Sequence, residues 1–309
     1  MLSNVLVVAE QVAVLFILIA LGFVSGKSGL INESGAKYLT NVVLYLATPC
    51  VMINSFQKVG YSPELILNLG ICALCAVMIQ GLSIFVSRAI FRNKDEERRV
   101  VLRFAVVFSN CGFMSLPLQQ ALLGDKGVFY GSVFVAVFNI LVWSYGLVDM
   151  SGDKENFTVK KLILNPGILG AFGAALLFFL QIHLPEILLS PIQYIAALNT
   201  PIPMLVIGFH LTRFSVKKSI GDLGIYAAVL VRLIAIPICA LLIMKLFGVS
   251  GDILAACTVA ASAPVAATTT MFATKFNRNV DLSVGLVSIS TILSIITMPV
   301  IIALSQTLG

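Results

Sequence analysis

The hydrophobic pattern of this chain consists of long apolar segments separated by short polar loops. A segment of about 20 apolar residues can cross the ~30 Å hydrocarbon core of a bilayer as an α-helix. Ten such segments run approximately over residues 5–25, 37–57, 64–90, 100–122, 128–148, 165–183, 192–212, 221–246, 252–274 and 282–305. The pattern therefore predicts an all-α membrane protein with ten transmembrane helices, called spans below.

Two of the predicted spans contain a polar, proline-bearing stretch near mid-depth. The fourth span has FSNCGFMSLP at Phe108–Pro117, and the ninth has ASAPVAATTT at Ala261–Thr270. A broken helix exposes N–H and C=O groups that hydrocarbon cannot satisfy, so it is tolerated only where the backbone lines a cavity or binds a ligand. A matched pair, one in each half of the chain, predicts the substrate site of a transporter.

Composition and charge support this class and give an orientation. The chain has 309 residues, of which 59% are hydrophobic and 11% charged. With the N-terminus outside, 16 Lys and Arg residues fall in inside loops and three fall outside. The inside residues are Lys27, Lys37, Arg88, Arg92, Lys94, Arg98, Arg99, Arg103, Lys154, Lys160, Lys161, Arg213, Lys217, Lys218, Lys275 and Arg278; the outside residues are Lys58, Lys126 and Lys245. The positive-inside rule then places both termini outside, and the net charge of +6 indicates topology rather than a nucleic-acid surface.

The two halves of the chain share landmarks at a nearly constant offset. The pairs are Tyr45–Met52 with Ala197–Met204 (T-P-x-x-M, offset 152), Ser109 with Ser262 (offset 153) and Gly131 with Gly285 (offset 154). A steady offset indicates a five-helix unit used twice. Because five is odd, the second copy enters the membrane in the opposite direction. We therefore predict a 5+5 inverted repeat, with repeats at residues 1–150 and 160–309.

The fourth and ninth spans correspond under this symmetry, so their interruptions are expected to meet. The N-terminus of each half-helix carries about +0.5 charge and free N–H groups. The meeting point is therefore suited to an anion such as a carboxylate.

Six motifs, in the same order along the chain, resemble those of the auxin efflux carrier family in its compact bacterial form. They are FSNCGFMSLPL, in which Ser115 replaces the usual glycine; VFNILVW (Val137–Trp143); LNTPIPMLVIGFHL (Leu198–Leu211); RLIAIP (Arg232–Pro237); ASAPVAATTTMFATKF; and STILSIITMP. The resemblance covers nearly the whole chain.

The resemblance implies the fold shared with bile-acid symporters and sodium/proton antiporters, in which broken helices 4 and 9 cross. Helices 3–5 and 8–10 would form a transport domain, and helices 1, 2, 6 and 7 a scaffold that often dimerises. Transport would be elevator-like. We accordingly expect a homodimer in a bacterial inner membrane.

The candidate substrate-binding residues are neutral amides and hydroxyls. Ser109 and Asn110 belong to the first break and Thr268, Thr269 and Thr270 to the second. Asn139 belongs to the fifth span and Asn199 to the seventh. Each has a structural alternative. Asn110 could cap a half-helix, the threonines could bond back to preceding carbonyls, and Asn199 could satisfy the kink at Pro201 and Pro203.

Three further residues are expected to act structurally at the crossover. Pro117 and Pro264 remove N–H donors and hold the helices open. Arg232 is the basic residue well inside a span, where an unpaired charge is costly. Pairing with the C-terminus of a broken helix is favoured over attraction of the substrate anion.

These features predict a secondary transporter of a small organic anion, auxin-like or a dicarboxylate. No catalytic motif is visible, so an enzyme is not expected, and neither is a cofactor or a metal site. Coupling to Na⁺ or H⁺ is the alternative left open, since neutral oxygens can bind Na⁺. A membrane receptor that binds the ligand without transporting it is the third alternative. It is disfavoured because the sequence shows no appended signalling domain.

Overall fold

A computed structural model describes residues 2–92, 94–153, 155, 158, 160, 164–213 and 221–308, with the backbone alone for residues 2–8. Four residues of the predicted inside loops, Lys154, Lys161, Lys217 and Lys218, lie outside the described residues. Within the described part of the chain the regular structure is helical, apart from an isolated antiparallel bridge between Ser109 and Val265. The all-α prediction is confirmed.

The described residues form helices that we number in chain order. They are α1 (Leu2–Lys27), α2 (Glu33–Lys58), α3 (Pro63–Ile90), α4 (Glu96–Val107), α5 (Cys111–Ser151), α6 (Pro166–Phe179), α7 (Glu186–Leu211), α8 (Leu223–Leu246), α9 (Gly251–Ser262), α10 (Thr268–Lys275) and α11 (Val280–Leu308). A turn at residues 198–200 interrupts α7.

Seven of these helices are long and apolar enough to cross a membrane, namely α1, α2, α3, α5, α7, α8 and α11. The sixth predicted span is the shorter apolar helix α6, and the ninth is divided into α9 and α10. The fourth is divided between α4 and the start of α5, which continues into the fifth. Seven long helices are found where ten spans are predicted because α6 is short, the ninth predicted span is divided, and the fourth is divided and runs on into the fifth.

The chain reverses direction inside α5. Gly124 has φ of +63° and ψ of −149°, a conformation that L side chains rarely adopt. Gly127 and Gly131 beyond it pack against Gln119 and Leu116 before it: a Cβ at Gly127 would lie 2.4 Å from the Gln119 carbonyl oxygen. This reversal accounts for the fourth and fifth spans lying side by side with almost no connecting loop.

Prolines widen three helices by one π-helical turn. The π turns are Val43–Ala47, Cys111–Ser115 and Val231–Ala235, and each is followed two residues later by Pro49, Pro117 or Pro237. A proline lacks an N–H and its ring clashes with the carbonyl four residues earlier, so a wider turn relieves the helix. Pro117 therefore lies in continuous helix, and the prediction that the interruption extends to it is wrong: the non-helical backbone ends at Asn110.

Small residues allow close crossings between α1 and α7 and between α2 and α6. A Cβ added to Gly208 would lie 2.0 Å from the Ile19 carbonyl oxygen, and one added to Gly22 would lie 2.2 Å from that of Leu205. At the second crossing, Gly170 contacts the Pro49 backbone. Glycines are common where membrane helices approach this closely.

The outer faces of the helices are apolar and exposed. Phe85 is 72% exposed and Phe172 is 67% exposed, although both lie within long apolar helices. Only lipid can cover such faces in a folded monomer. The chain is therefore an integral, multi-pass membrane protein.

Candidate functional site

The two interrupted stretches meet and satisfy each other's backbone. The Asn110 N–H donates to the Pro264 carbonyl at 2.7 Å, and the Ala266 N–H donates to the Phe108 carbonyl at 2.9 Å. Ser109 and Val265 thereby form the antiparallel bridge. Either non-helical segment alone would leave unpaired N–H and C=O groups inside the membrane, but together they pair these groups and are stable.

Four half-helix ends converge at this bridge. The helices α4 and α9 end there, at Val107 and Ser262, while α5 and α10 begin just beyond it, at Cys111 and Thr268. Helix C-termini carry about −0.5 charge and unpaired carbonyls, and N-termini carry about +0.5 and unpaired N–H groups. The crossover thus has a negative pole made by α4 and α9 and a positive pole made by α5 and α10.

Arg232 lies against the negative pole. Its guanidinium donates to the Val106 carbonyl at 3.0 Å and the Val107 carbonyl at 3.4 Å at the end of α4. It also donates to the Ala261 carbonyl at the end of α9. The side chain is 1% exposed. One cation from α8 therefore holds the C-terminal ends of both broken helices, the arrangement that sequence reasoning favoured.

A cavity of about 90 Å³ lies at the positive pole. It is lined by Leu44, Tyr45, Thr48, Ser109, Asn110, Gly112, Phe113, Val135, Phe138, Asn139, Val142, Trp143, Asn165, Pro166, Gly167, Ala266, Ala267, Thr268 and Met271. Among these described lining residues there is no Asp, Glu, Lys, Arg or His. The cavity therefore offers neutral polar groups and aromatic surface.

Four of the seven candidate binding residues line this cavity: Ser109, Asn110, Asn139 and Thr268. The Asn110 side-chain amide has no hydrogen-bond partner among the described residues, and neither has the Thr268 hydroxyl. Asn139 uses its Nδ2 to donate to the Val135 carbonyl at 2.9 Å. Asn110 and Thr268 are thus two polar side chains of the cavity wall that are free to contact a ligand.

The other three candidates lie behind the cavity wall. Thr269 is fully buried, and Thr270 accepts a hydrogen bond from Ser283 at 3.2 Å. Asn199 accepts from the Thr48 hydroxyl at 3.0 Å and donates to the Gly112 carbonyl at 3.5 Å. Asn199 therefore braces two lining residues, consistent with its structural alternative.

Sequence reasoning missed part of the wall. Asn165 accepts a hydrogen bond from the Ile168 N–H and caps α6, whose first residue is Pro166. An asparagine followed by a proline is a recognised signal for the start of a helix, and it could have predicted that α6 begins at Pro166 with Asn165 as its cap. Tyr45 and Trp143 also line the cavity, although they entered the sequence reasoning only as positions within motifs.

Comparison with known proteins decides the family. A family model described as membrane transport protein matches residues 7–302. The chain belongs to this family, that of the auxin efflux carriers. The resemblance read from the motifs is thereby confirmed, and the protein is a membrane transporter by family.

Two archaeal relatives are similar to this auxin efflux carrier family member over nearly its whole length. An uncharacterized transporter of Methanocaldococcus jannaschii is 23% identical over 299 residues, covering 93% of this chain and 95% of the relative. An uncharacterized transporter of Methanothermobacter thermautotrophicus is 24% identical over 294 residues, covering 94% and 96%. An uncharacterized transporter of Schizosaccharomyces pombe is 25% identical over an alignment of 155 residues, which covers 42% of this chain and 33% of the relative.

Proposed function

We propose that this protein is a secondary carrier of a small organic anion, an auxin-like carboxylate or a dicarboxylate, which binds where the two broken helices meet. The observation that carries the proposal is the position of Arg232 on the C-terminal ends of α4 and α9. This placement leaves the N-terminal ends of α5 and α10 without a matching anion among the described residues of the cavity wall.

The charge balance supports an anionic ligand. Two helix C-termini contribute about −1 in total, which the single charge of Arg232 offsets. Two N-termini contribute about +1, and the cavity at that pole has no carboxylate in its described lining. A monovalent anion would restore neutrality in a medium where an uncompensated charge is costly.

The side chains at the positive pole suit a carboxylate with an apolar body. The free Asn110 amide and the free Thr268 hydroxyl can donate hydrogen bonds to carboxylate oxygens. Phe113, Phe138 and Trp143 supply aromatic wall for the rest of the molecule. Tyr45 offers a phenol at the same cavity.

For the transport cycle we propose ten spans in a 5+5 inverted repeat, with elevator-like movement of spans 3–5 and 8–10. The glycine crossings between α1 and α7 and between α2 and α6 support a rigid scaffold of spans 1, 2, 6 and 7. Contacts such as the Lys58–Asp125 ion pair, at 3.5 Å and about 40% exposed, are weak enough to break during movement. A homodimer through the scaffold, with both termini outside, completes the proposal.

Uptake of radiolabelled carboxylates into proteoliposomes tests the anion hypothesis. Asn110→Ala is expected to lower uptake at least tenfold, because a hydrogen bond to a charged group in a dry site is lost. Asn41→Ala, at an exposed position on α2, is the matched control and should transport normally. Wild-type uptake by Asn110→Ala would refute the assigned site.

Coupling to Na⁺ or H⁺ is the second candidate. The buried hydroxyl oxygens of Ser115, Thr258 and Thr291 have no hydrogen-bond partner within the described part of the chain, and this observation favours a cation. Melting temperatures measured in Na⁺ and in K⁺ across pH would detect it. A rise in Na⁺ alone would support a symporter, and identical curves would reject Na⁺ coupling.

A further inference from the structure

A second cavity, of about 980 Å³, lies away from the crossover and has no part in the function proposed above. Its walls come from the N-terminal part of α3, the part of α5 just after its reversal at Gly124, and the residues at and around the connection from α8 to α9. We call it the lateral groove, lined by Ser62, Glu64, Leu65, Asn68, Ile71, Leu74, Cys75, Val77, Met78, Lys126, Tyr130, Met244, Phe247, Gly248, Val249, Ser250, Gly251, Asp252 and Ile253. Its volume is near the upper end of the range of small-molecule sites.

The lateral groove is as deep as one bilayer leaflet and opens sideways. On α3 it extends from Ser62 to Met78, which is about 24 Å at 1.5 Å per residue, against roughly 20–22 Å for half a bilayer with its headgroups. Leu74 is 71% exposed and Val77 is 54% exposed, so this side faces the acyl chains. A lipid tail can therefore enter the groove from the bilayer.

The mouth of the groove carries both signs of charge. Asn68 donates a hydrogen bond to the Tyr130 hydroxyl at 3.3 Å, which ties α3 to α5. Glu64 lies one turn above Asn68, and Lys126 lies one turn above Tyr130, so the carboxylate and the ammonium flank the mouth. Asp252, in the first turn of α9, adds a second carboxylate.

We infer that the lateral groove holds one phospholipid with a zwitterionic ethanolamine headgroup. Lys126 would contact the phosphate, and Glu64 and Asp252 would accept hydrogen bonds from the primary ammonium. A choline headgroup has no N–H to donate, and a glycerol headgroup has no cation to offer the carboxylates. Phosphatidylethanolamine is thus preferred over phosphatidylcholine and phosphatidylglycerol.

Native mass spectrometry of the full chain, delipidated and then given equal amounts of these three lipids, tests the inference. The wild-type protein should retain one phosphatidylethanolamine per chain. The double variant Glu64→Gln with Asp252→Asn should lower the preference over phosphatidylglycerol about fivefold, because exposed charge pairs contribute modestly. Glu186→Gln, an exposed carboxylate on α7, should leave the preference unchanged.

Two tryptophan variants, one inside the groove and one outside it, test the site without changing any charge at the mouth and control for an effect of the added ring on folding. Val77→Trp fills the groove wall, whereas Val24→Trp places the same ring on an exposed α1 site. Loss of the retained lipid in the first variant alone supports the site. Equal retention of all three lipids by every variant, or no retained lipid in the wild-type protein, would overturn it.

Discussion

Replacing Arg232 tests whether one side chain holds the crossover together. Arg232→Met keeps an unbranched apolar stem but removes the donors to Val106, Val107 and Ala261. Arg232→Lys keeps the charge, yet a single ammonium lacks the fork that reaches two helix ends. Comparing the two variants therefore separates the effect of the positive charge from the effect of a side chain that can reach both helix ends.

The expected loss of stability follows from the carbonyls left without donors. Leaving a buried acceptor unpaired costs about 1–3 kcal/mol, and removing one partner of a buried charged network costs about 3–5 kcal/mol. The Val107 contact is long, at 3.4 Å, and the buried Nε of Arg232 has no partner among the residues that the structure describes, so the lower end of the second range applies. We expect about 3 kcal/mol for Arg232→Met and a smaller loss for Arg232→Lys.

Thermal unfolding in detergent provides the assay, since the chain has one tryptophan, Trp143, in the cavity wall. A loss of about 3 kcal/mol should lower the melting temperature by roughly 5–10 °C. Carboxylate uptake should also fall roughly tenfold, because the negative pole would be left uncompensated. Lys37→Met, exposed on α2, is the control. An Arg232→Met protein with wild-type melting and uptake would refute the reasoning.

Two other predictions concern packing and pH. Gly208→Ala should abolish folded protein in size-exclusion profiles, because its Cβ would lie 2.0 Å from a carbonyl oxygen, whereas Gly173→Ala faces open space and should be tolerated. At the start of α8, partial burial opposes ionisation of Asp222, but Arg98 and two backbone N–H groups hold the pKa of its carboxyl below its usual value. That stabilisation is present above about pH 4 and is lost on further acidification. Melting curves of Asp222→Asn should lack this acid-induced step, and an unchanged step would contradict the assignment.

The existence and pairing of the breaks could be predicted from sequence because both depend on residue type and spacing. A proline and small polar residues inside an apolar segment mark a break whatever its surroundings, and the offset of 153 residues between Ser109 and Ser262 suggested that the two breaks correspond. The structural role of Arg232 was favoured for a similar reason, since a deep charge must find a partner.

The orientation of individual side chains could not be predicted, because it depends on the residue at which each half-helix restarts. The helix α10 begins at Thr268, and successive residues turn by about 100°. Thr268 therefore faces the cavity, while Thr269 and Thr270 turn into the protein. Likewise, the partners of Asn199 come from Thr48 and Gly112, which are distant in sequence.

The charge balance at the crossover also discriminates among anions. The N-terminal poles of α5 and α10 sum to about one positive charge, and no lysine or arginine is found among the described residues of the cavity wall. A second carboxylate would meet aromatic and aliphatic side chains, where an unpaired charge is costly. We therefore expect an aromatic monocarboxylate to compete for uptake at least tenfold better than a dicarboxylate of similar size. Competition assays in proteoliposomes, at a pH where both acids are fully ionised, measure this ratio directly. A preference for the dicarboxylate would show that a cation from outside the described wall contributes to the site. The account in which the two helix N-termini alone balance the anion would then have to be abandoned.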